Sequence, residues 1–157
     1  MIKNFLLGAI GLSALGLIDT IYLTYQHYTA NSLFCNILSG CDLVTKSAYN
    51  NIAGLPIALL GILYYLSIFS LTIYLYRNQT SFAEKKPVRL FFSLTVTGVA
   101  FSIWLTYLQA IVIEAWCQYC LFSAGLTLVL FIISLILLKL SRQAPPEDSP
   151  RAGESAL

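Results

Sequence analysis

Charge is what this chain has least of. Asp, Glu, Lys and Arg make up only 10% of its 157 residues, whereas about a quarter of a soluble domain is charged. That shortage excludes an ordinary water-soluble globule, because the 58% of residues that are apolar lie in runs too long to hide behind so thin a polar surface. The alternating pattern of a membrane β-barrel is absent. No nucleic-acid motif and no internal repeat is present. The net charge of +2 carries no message about polyanions, since the basic residues read as topology signals. The single histidine, His27, falls near a membrane interface and is read as a plain interfacial residue.

What is present is four apolar runs within a length suited to one domain: Phe5–Tyr25, Leu55–Tyr76, Leu90–Ile113 and Cys117–Leu138. A bilayer core of about 30 Å takes about 20 helical residues. Backbone groups in lipid must be satisfied internally, so each run is expected to be a helix. Lys3 and Ala14-Leu15-Gly16 resemble a cleavable signal, but apolar and aromatic residues continue through Tyr25, so the first run is read as a retained span. With a cytoplasmic N-terminus, Lys3, Arg77, Lys85, Lys86, Arg89, Lys139, Arg142 and Arg151 lie inside and only Lys46 outside; the positive-inside rule selects that orientation. Residues 31–54 then form an external loop, 77–89 an internal one, and 114–116 a tight external turn. The expected fold is all-α, a polytopic four-transmembrane-helix bundle over residues 1–142, with a disordered cytoplasmic tail at 143–157. Within the external loop, Leu43, Val44, Ala48, Ile52 and Ala53 are spaced to share one face of a short interfacial helix. Gly54 would end it, and Pro56 suits the first turn of the next helix.

This topology puts all four cysteines on the outer face, where disulfides are permitted. Cys35 and Cys41 flank Gly40 in the loop. Cys117 and Cys120, in Trp116-Cys117-Gln118-Tyr119-Cys120, open the fourth run. Residues three apart share a helix face, and unpaired N–H groups at a helix start favour an anion. A thiolate is the nucleophile of disulfide exchange, and a helix N-terminus lowers a thiol's pKa. A Cys-x-x-Cys there is therefore a redox arrangement, against the blander reading of two small packing residues. The loop pair alone reads as a staple that closes a short loop; a shuttle between the two pairs uses both. Four thiolates, with His27 and Asp42 in reserve, offer a zinc alternative, but the Cys-x5-Cys spacing and an oxidising compartment count against it.

These residues resemble the vitamin K epoxide reductase family in its bacterial and archaeal form. The resemblance spans about residues 5–140. It rests on Cys35-x5-Cys41, Ser47, Gly54-x-Pro56-x-Ala58-x-x-Gly61, Trp116-Cys117-x-x-Cys120 and Tyr22-Leu23-Thr24-Tyr25. It implies a four-helix bundle with a quinone site (ubiquinone, menaquinone or a relative) at its outer end. Cys117 and Cys120 would be the pair that meets the quinone, Cys120 nearer the ring. Cys35 and Cys41 would relay electrons from a thioredoxin-fold, DsbA-like partner, so that secreted proteins gain disulfides. Ser47 would hydrogen-bond the quinone or cap the lid helix. The short tail implies a separate partner rather than a fused thioredoxin-like domain. Leu121-Phe122-Ser123-Ala124 lacks the tyrosine of animal members, which speaks against vitamin K epoxide as substrate. The expected location is a bacterial plasma membrane, with both termini cytoplasmic. The DsbB type of quinone-linked bundle carries its Cys-x-x-Cys between its first two helices, so the order here differs. The alternative from another class is a non-catalytic, disulfide-stapled or metal-binding small membrane protein.

One further polar residue stands out. Asp19 lies inside the first run, roughly 9 Å below its outer end by helical rise. Intramembrane carboxyls default to functional hypotheses: a proton feed for quinone reduction, or simple pairing with Gln109 or a tyrosine hydroxyl.

Overall fold

The computed structural model describes residues 2–29, 41, 44, 51–52, 55–78 and 85–143. Four long helices dominate: α1 (Ile2–Thr29), α2 (Ile57–Arg77), α3 (Lys85–Tyr107) and α4 (Gln118–Gln143). A π-helical turn, Leu108–Val112, extends α3. All four helical segments are long and apolar enough to cross a membrane, α3 and the π turn counting as one. The chain runs up, down, up and down. α1 packs on α2 and α3 on α4, while α1–α4 and α2–α3 contacts close the bundle. The expected all-α four-helix membrane bundle is the observed one.

The two ends of the bundle are built differently. Where the N-termini of α1 and α3 meet the C-termini of α2 and α4, the interior is close-packed hydrocarbon: Leu6, Ala9, Ile68, Leu75, Val88, Phe91, Leu130 and Leu137. Small residues let the backbones approach there and above. A Cβ on Gly16 of α1 would collide with the Tyr65 ring of α2, and one on Gly61 of α2 would lie 2.6 Å from Thr20 Cγ2 of α1. Hydroxyls inside the helices bond back to their own turns: Thr20 Oγ1 donates to Gly16 O at 2.9 Å and Thr72 Oγ1 to Ile68 O at 2.7 Å. Each hydroxyl is thereby satisfied without water, as a lipid setting requires. On the outside, Ile18, Leu63 and Ile103 project more than 60% exposed, which suits a surface solvated by acyl chains.

The opposite end holds the second buried cluster and a cavity between the helices. A two-residue antiparallel ladder, β1 (Asn51–Ile52) with β2 (Leu55–Pro56), leads into α2. Pro56 then caps α2 with φ −63° and ψ 138°, the extended geometry of a residue just outside a helix. The ladder corrects one expectation: Ile52 belongs to a strand, not to a short interfacial helix. Cys41 and Val44 are helical and buried. Leu43, Ala48 and Ala53 lie outside the described residues, as do Cys35, Ser47 and the tail from residue 144.

Candidate functional site

The turn between α3 and α4 carries the site. At the π turn Ile113 N–H donates to Leu108 O at 2.8 Å, one residue wider than an α-helical bond, and such turns recur at functional sites. Glu114 then adopts φ 53°, a left-handed conformation unusual outside glycine. This sharp reversal lets the chain fold back on Gln109. Ala115 N–H donates to Gln109 O at 3.1 Å, and Cys117 N–H to Gln109 Oε1 at 2.9 Å, in a buried position. Gln109, itself 3% exposed, so clamps the start of α4 from below. The pairing of Gln109 with Asp19 considered from sequence is replaced by this one.

Cys117 sits one residue earlier than the sequence reading had it. It precedes the first helical residue, Gln118, and its carbonyl accepts Leu121 N–H at 3.1 Å. Cys120 lies in the first turn. Both are free thiols, Cys117 fully buried and Cys120 partly so. A hydrogen bond from the Cys120 thiol holds Cys117 down to about 7, with the backbone N–H groups of Cys120 and Tyr119 adding to it and burial opposing. A reactive thiol is thus prepared with no cation among the causes that the described residues supply.

Above the dithiol lies a second buried cluster, in which Leu23 of α1, Cys41, Val44, Ala115 and Cys117 pack with Tyr22, Ala58, Ile113, Tyr119 and Cys120 around them. Cys41 is disulfide-bonded. A segment of the external loop is therefore seated on Cys117. Tyr22 and Tyr119 brace the arrangement, ring centroids 5.4 Å apart.

Beside the dithiol a cavity of about 290 Å³ opens between the helices. Cys120 is part of its wall, with Thr20, Leu23 and His27 from α1, Val44 from the loop, Ala58, Gly61, Tyr64 and Tyr65 from α2, Gly98, Phe101 and Gln109 from α3 and its π turn, and Ser123 and Thr127 from α4. The lining is chiefly apolar with a few hydroxyls, at the small end of ligand pockets. Gly98 gives Tyr64 its place, because a Cβ there would strike the Tyr64 hydroxyl. On the floor the Tyr65 hydroxyl donates to Ser123 O at 2.9 Å and shares hydrogen bonds with Ser123 Oγ at 2.8 Å and Thr127 Oγ1 at 3.1 Å. Sequence reasoning missed this triad and the Gln109 clamp. The signal for two of its three members was there: Ser123 and Thr127 recur with Cys120 at the spacing of one helix face.

The vitamin K epoxide reductase family model matches residues 7–135. The chain belongs to the vitamin K epoxide reductase family. It is 31% identical over 123 residues to the thiol-disulfide oxidoreductase LTO1 of Arabidopsis thaliana, a match covering 76% of this chain and 33% of that protein. The chain thus spans about a third of the length of that curated relative. Family and helices support an integral membrane protein. Among the described residues, no three His, Cys, Asp or Glu side chains cluster as metal ligands would.

Proposed function

We propose that this protein is a membrane thiol:quinone oxidoreductase that supports disulfide formation. Electrons pass from a thioredoxin-fold, DsbA-like partner to Cys35 and Cys41, then to Cys117 and Cys120, and on to a quinone. The observation that carries this reading is a juxtaposition: Cys120 lines an apolar cavity, while Cys41 packs in the same buried cluster as its neighbour Cys117. The cavity's chemistry fits a quinone head group. It is apolar, lies within the membrane-spanning helices and holds a thiol and several hydroxyls at its wall. A quinone bound there supplies a sink for two electrons and two protons.

The protein's own part follows from its thiols. A reduced loop pair attacks the Cys117–Cys120 disulfide, and the sulfur reached through the seated loop is that of Cys117. Cys120 departs as a thiolate toward the cavity. The second loop cysteine resolves the mixed disulfide, leaving the loop pair oxidised and the helix pair reduced. Cys41 in a disulfide beside free Cys117 and Cys120 corresponds to that stage, with the electron pair waiting at the cavity. Overall, two thiols become one disulfide and a quinone becomes a quinol. Gln109 keeps Cys117 aligned throughout. The positive-inside bias supports an orientation with both termini cytoplasmic and the thiols on the outer side of a bacterial plasma membrane. Ser47 is assigned here to the quinone or to the cap of the lid helix.

The purified protein should oxidise a reduced thioredoxin-fold protein with equimolar quinone consumption, and Cys120→Ala should abolish it. Full turnover by that variant would refute the mechanism. A purely structural staple at Cys41 is the competing reading; it predicts that all quinone-dependent oxidation is absent from the start.

A further inference from the structure

Asp19 has no part in the relay as described, yet it is a buried carboxyl within the bundle. It lies within the membrane-spanning length of α1, 8% exposed, and its Oδ2 is enclosed without a hydrogen-bond partner. A carboxyl in that setting is expensive, and such groups mark ion or proton paths. Its surroundings are specific. One turn above it, Tyr22 meets Tyr119 and Leu23 packs in the cluster of Cys117. One turn below, Gly16 receives the ring of Tyr65. Asp19 is thus framed by the dithiol on one side and by the hydroxyl triad on the other. The titratable groups that feel its charge are Tyr65 on α2 and Cys117, Tyr119 and Cys120 at the start of α4, all of them proton donors when neutral.

We propose that Asp19 is the proton acceptor of the Cys117–Cys120 dithiol, holding the first thiol proton while the pair is reduced and returning it through the Tyr65, Ser123 and Thr127 hydroxyls to the cavity. This rests on the thiol:quinone reading above. The balance is complete. A dithiol carries two protons and yields an electron pair as its S–S bond forms. The first proton moves to Asp19, leaving one shared between the two sulfurs. When the electron pair leaves for a quinone, the shared proton goes with it. The second comes from Asp19 by relay along the triad, whose hydroxyls both donate and accept and all line the cavity. Asp19 ends as carboxylate, the pair as disulfide and the quinone as quinol.

The direct test needs no quinone. Infrared difference spectra of the purified protein, dithiol minus disulfide state of Cys117–Cys120, should show a carboxylic-acid C=O stretch in the reduced form. That band should vanish in Asp19→Asn and shift in Asp19→Glu. A spectrum with no such band, or one unchanged in Asp19→Asn, overturns the proposal. In turnover, Asp19→Asn should slow quinone reduction by about 10²-fold, the usual worth of a positioned acid–base group, and lose the wild-type acid limb of the pH profile. If Asp19→Asn does not fold, Asp19→Glu decides alone: turnover with a displaced acid limb supports the assignment, and an unmoved limb overturns it. Absence of quinone reduction in the wild type would instead defeat the functional reading, and the infrared result would still stand or fall on its own.

Discussion

Replacing Cys120 with alanine should do more than delete a redox partner: it should also disarm Cys117. The Cys120 thiol is the foremost cause of the low Cys117 pKa, which stands at about 7 instead of the ordinary 9.0. At pH 7 about half of Cys117 is then thiolate, whereas a thiol at 9.0 is only about 1% ionised, a difference of roughly 50-fold in reactive species. Burial, which raises this thiol, and the backbone N–H groups of residues 119 and 120, which lower it, both persist in Cys120→Ala. Losing the foremost lowering contact therefore moves the midpoint upward from about 7, and reactivity at neutral pH falls. The assay is the pH dependence of Cys117 alkylation by a small neutral reagent, read by peptide mass spectrometry on the reduced protein. Because Cys117 is fully buried, absolute rates are slow in both proteins, so the midpoint is the quantity to compare. If the Cys120→Ala midpoint stays near 7, the thiol–thiol hydrogen bond is not what prepares Cys117, and the reasoning fails.

Other perturbations follow from the same geometry. Gln109→Leu removes the acceptor of the buried Cys117 N–H and should cost about 1–3 kcal/mol, the penalty of an orphaned buried donor; Gln109→Glu, which keeps an acceptor, should recover stability while moving the Cys117 alkylation midpoint upward through its added negative charge. Gly16→Ala drives a methyl into the Tyr65 ring and should destabilise the bundle by about 1–3 kcal/mol, whereas Gly8→Ala, with nothing within 4 Å, should be neutral or stabilising; thermal unfolding in detergent compares the two. Glu114→Gly relieves the left-handed backbone at φ 53° and should leave the site intact with equal or slightly greater stability, while Glu114→Val should be destabilised and should loosen the turn, as hydrogen exchange at Ala115 and Cys117 would register.

The bundle was legible in the sequence because lipid leaves so few backbone solutions. Each apolar run became a helix, and the Cys-x-x-Cys spacing located the dithiol to within one residue of its helical position. The runs understated the helices where charged residues end them: α3 begins at Lys85 and α4 continues to Gln143, since Lys and Arg reach the interface on long apolar stems. Illegible features were those set by contacts distant in sequence or by backbone irregularity. The Gln109–Cys117 clamp spans eight residues and exists only because the π turn and the Glu114 reversal fold the chain back. Tyr65 finds Ser123 and Thr127 across 58 and 62 residues, and no local pattern encodes that meeting. Ile52 has an apolar spacing that suits a helix face, yet the Asn51–Pro56 and Ile52–Leu55 pairings give its backbone a ladder instead.

The central claim is that Cys117 and Cys120 hand their electrons to a quinone in the adjoining cavity. It is tested most directly by an anaerobic single turnover: fully reduced Cys35→Ala/Cys41→Ala protein, in which no loop dithiol can re-reduce the helix pair, is mixed in lipid nanodiscs with one equivalent of a soluble quinone, then quenched with an alkylating agent. The account predicts one quinol formed per chain, with the lost thiols recovered as the Cys117–Cys120 disulfide peptide. Quinol formation with that pair still alkylated, or no quinol at all while both thiols remain reduced, would contradict it.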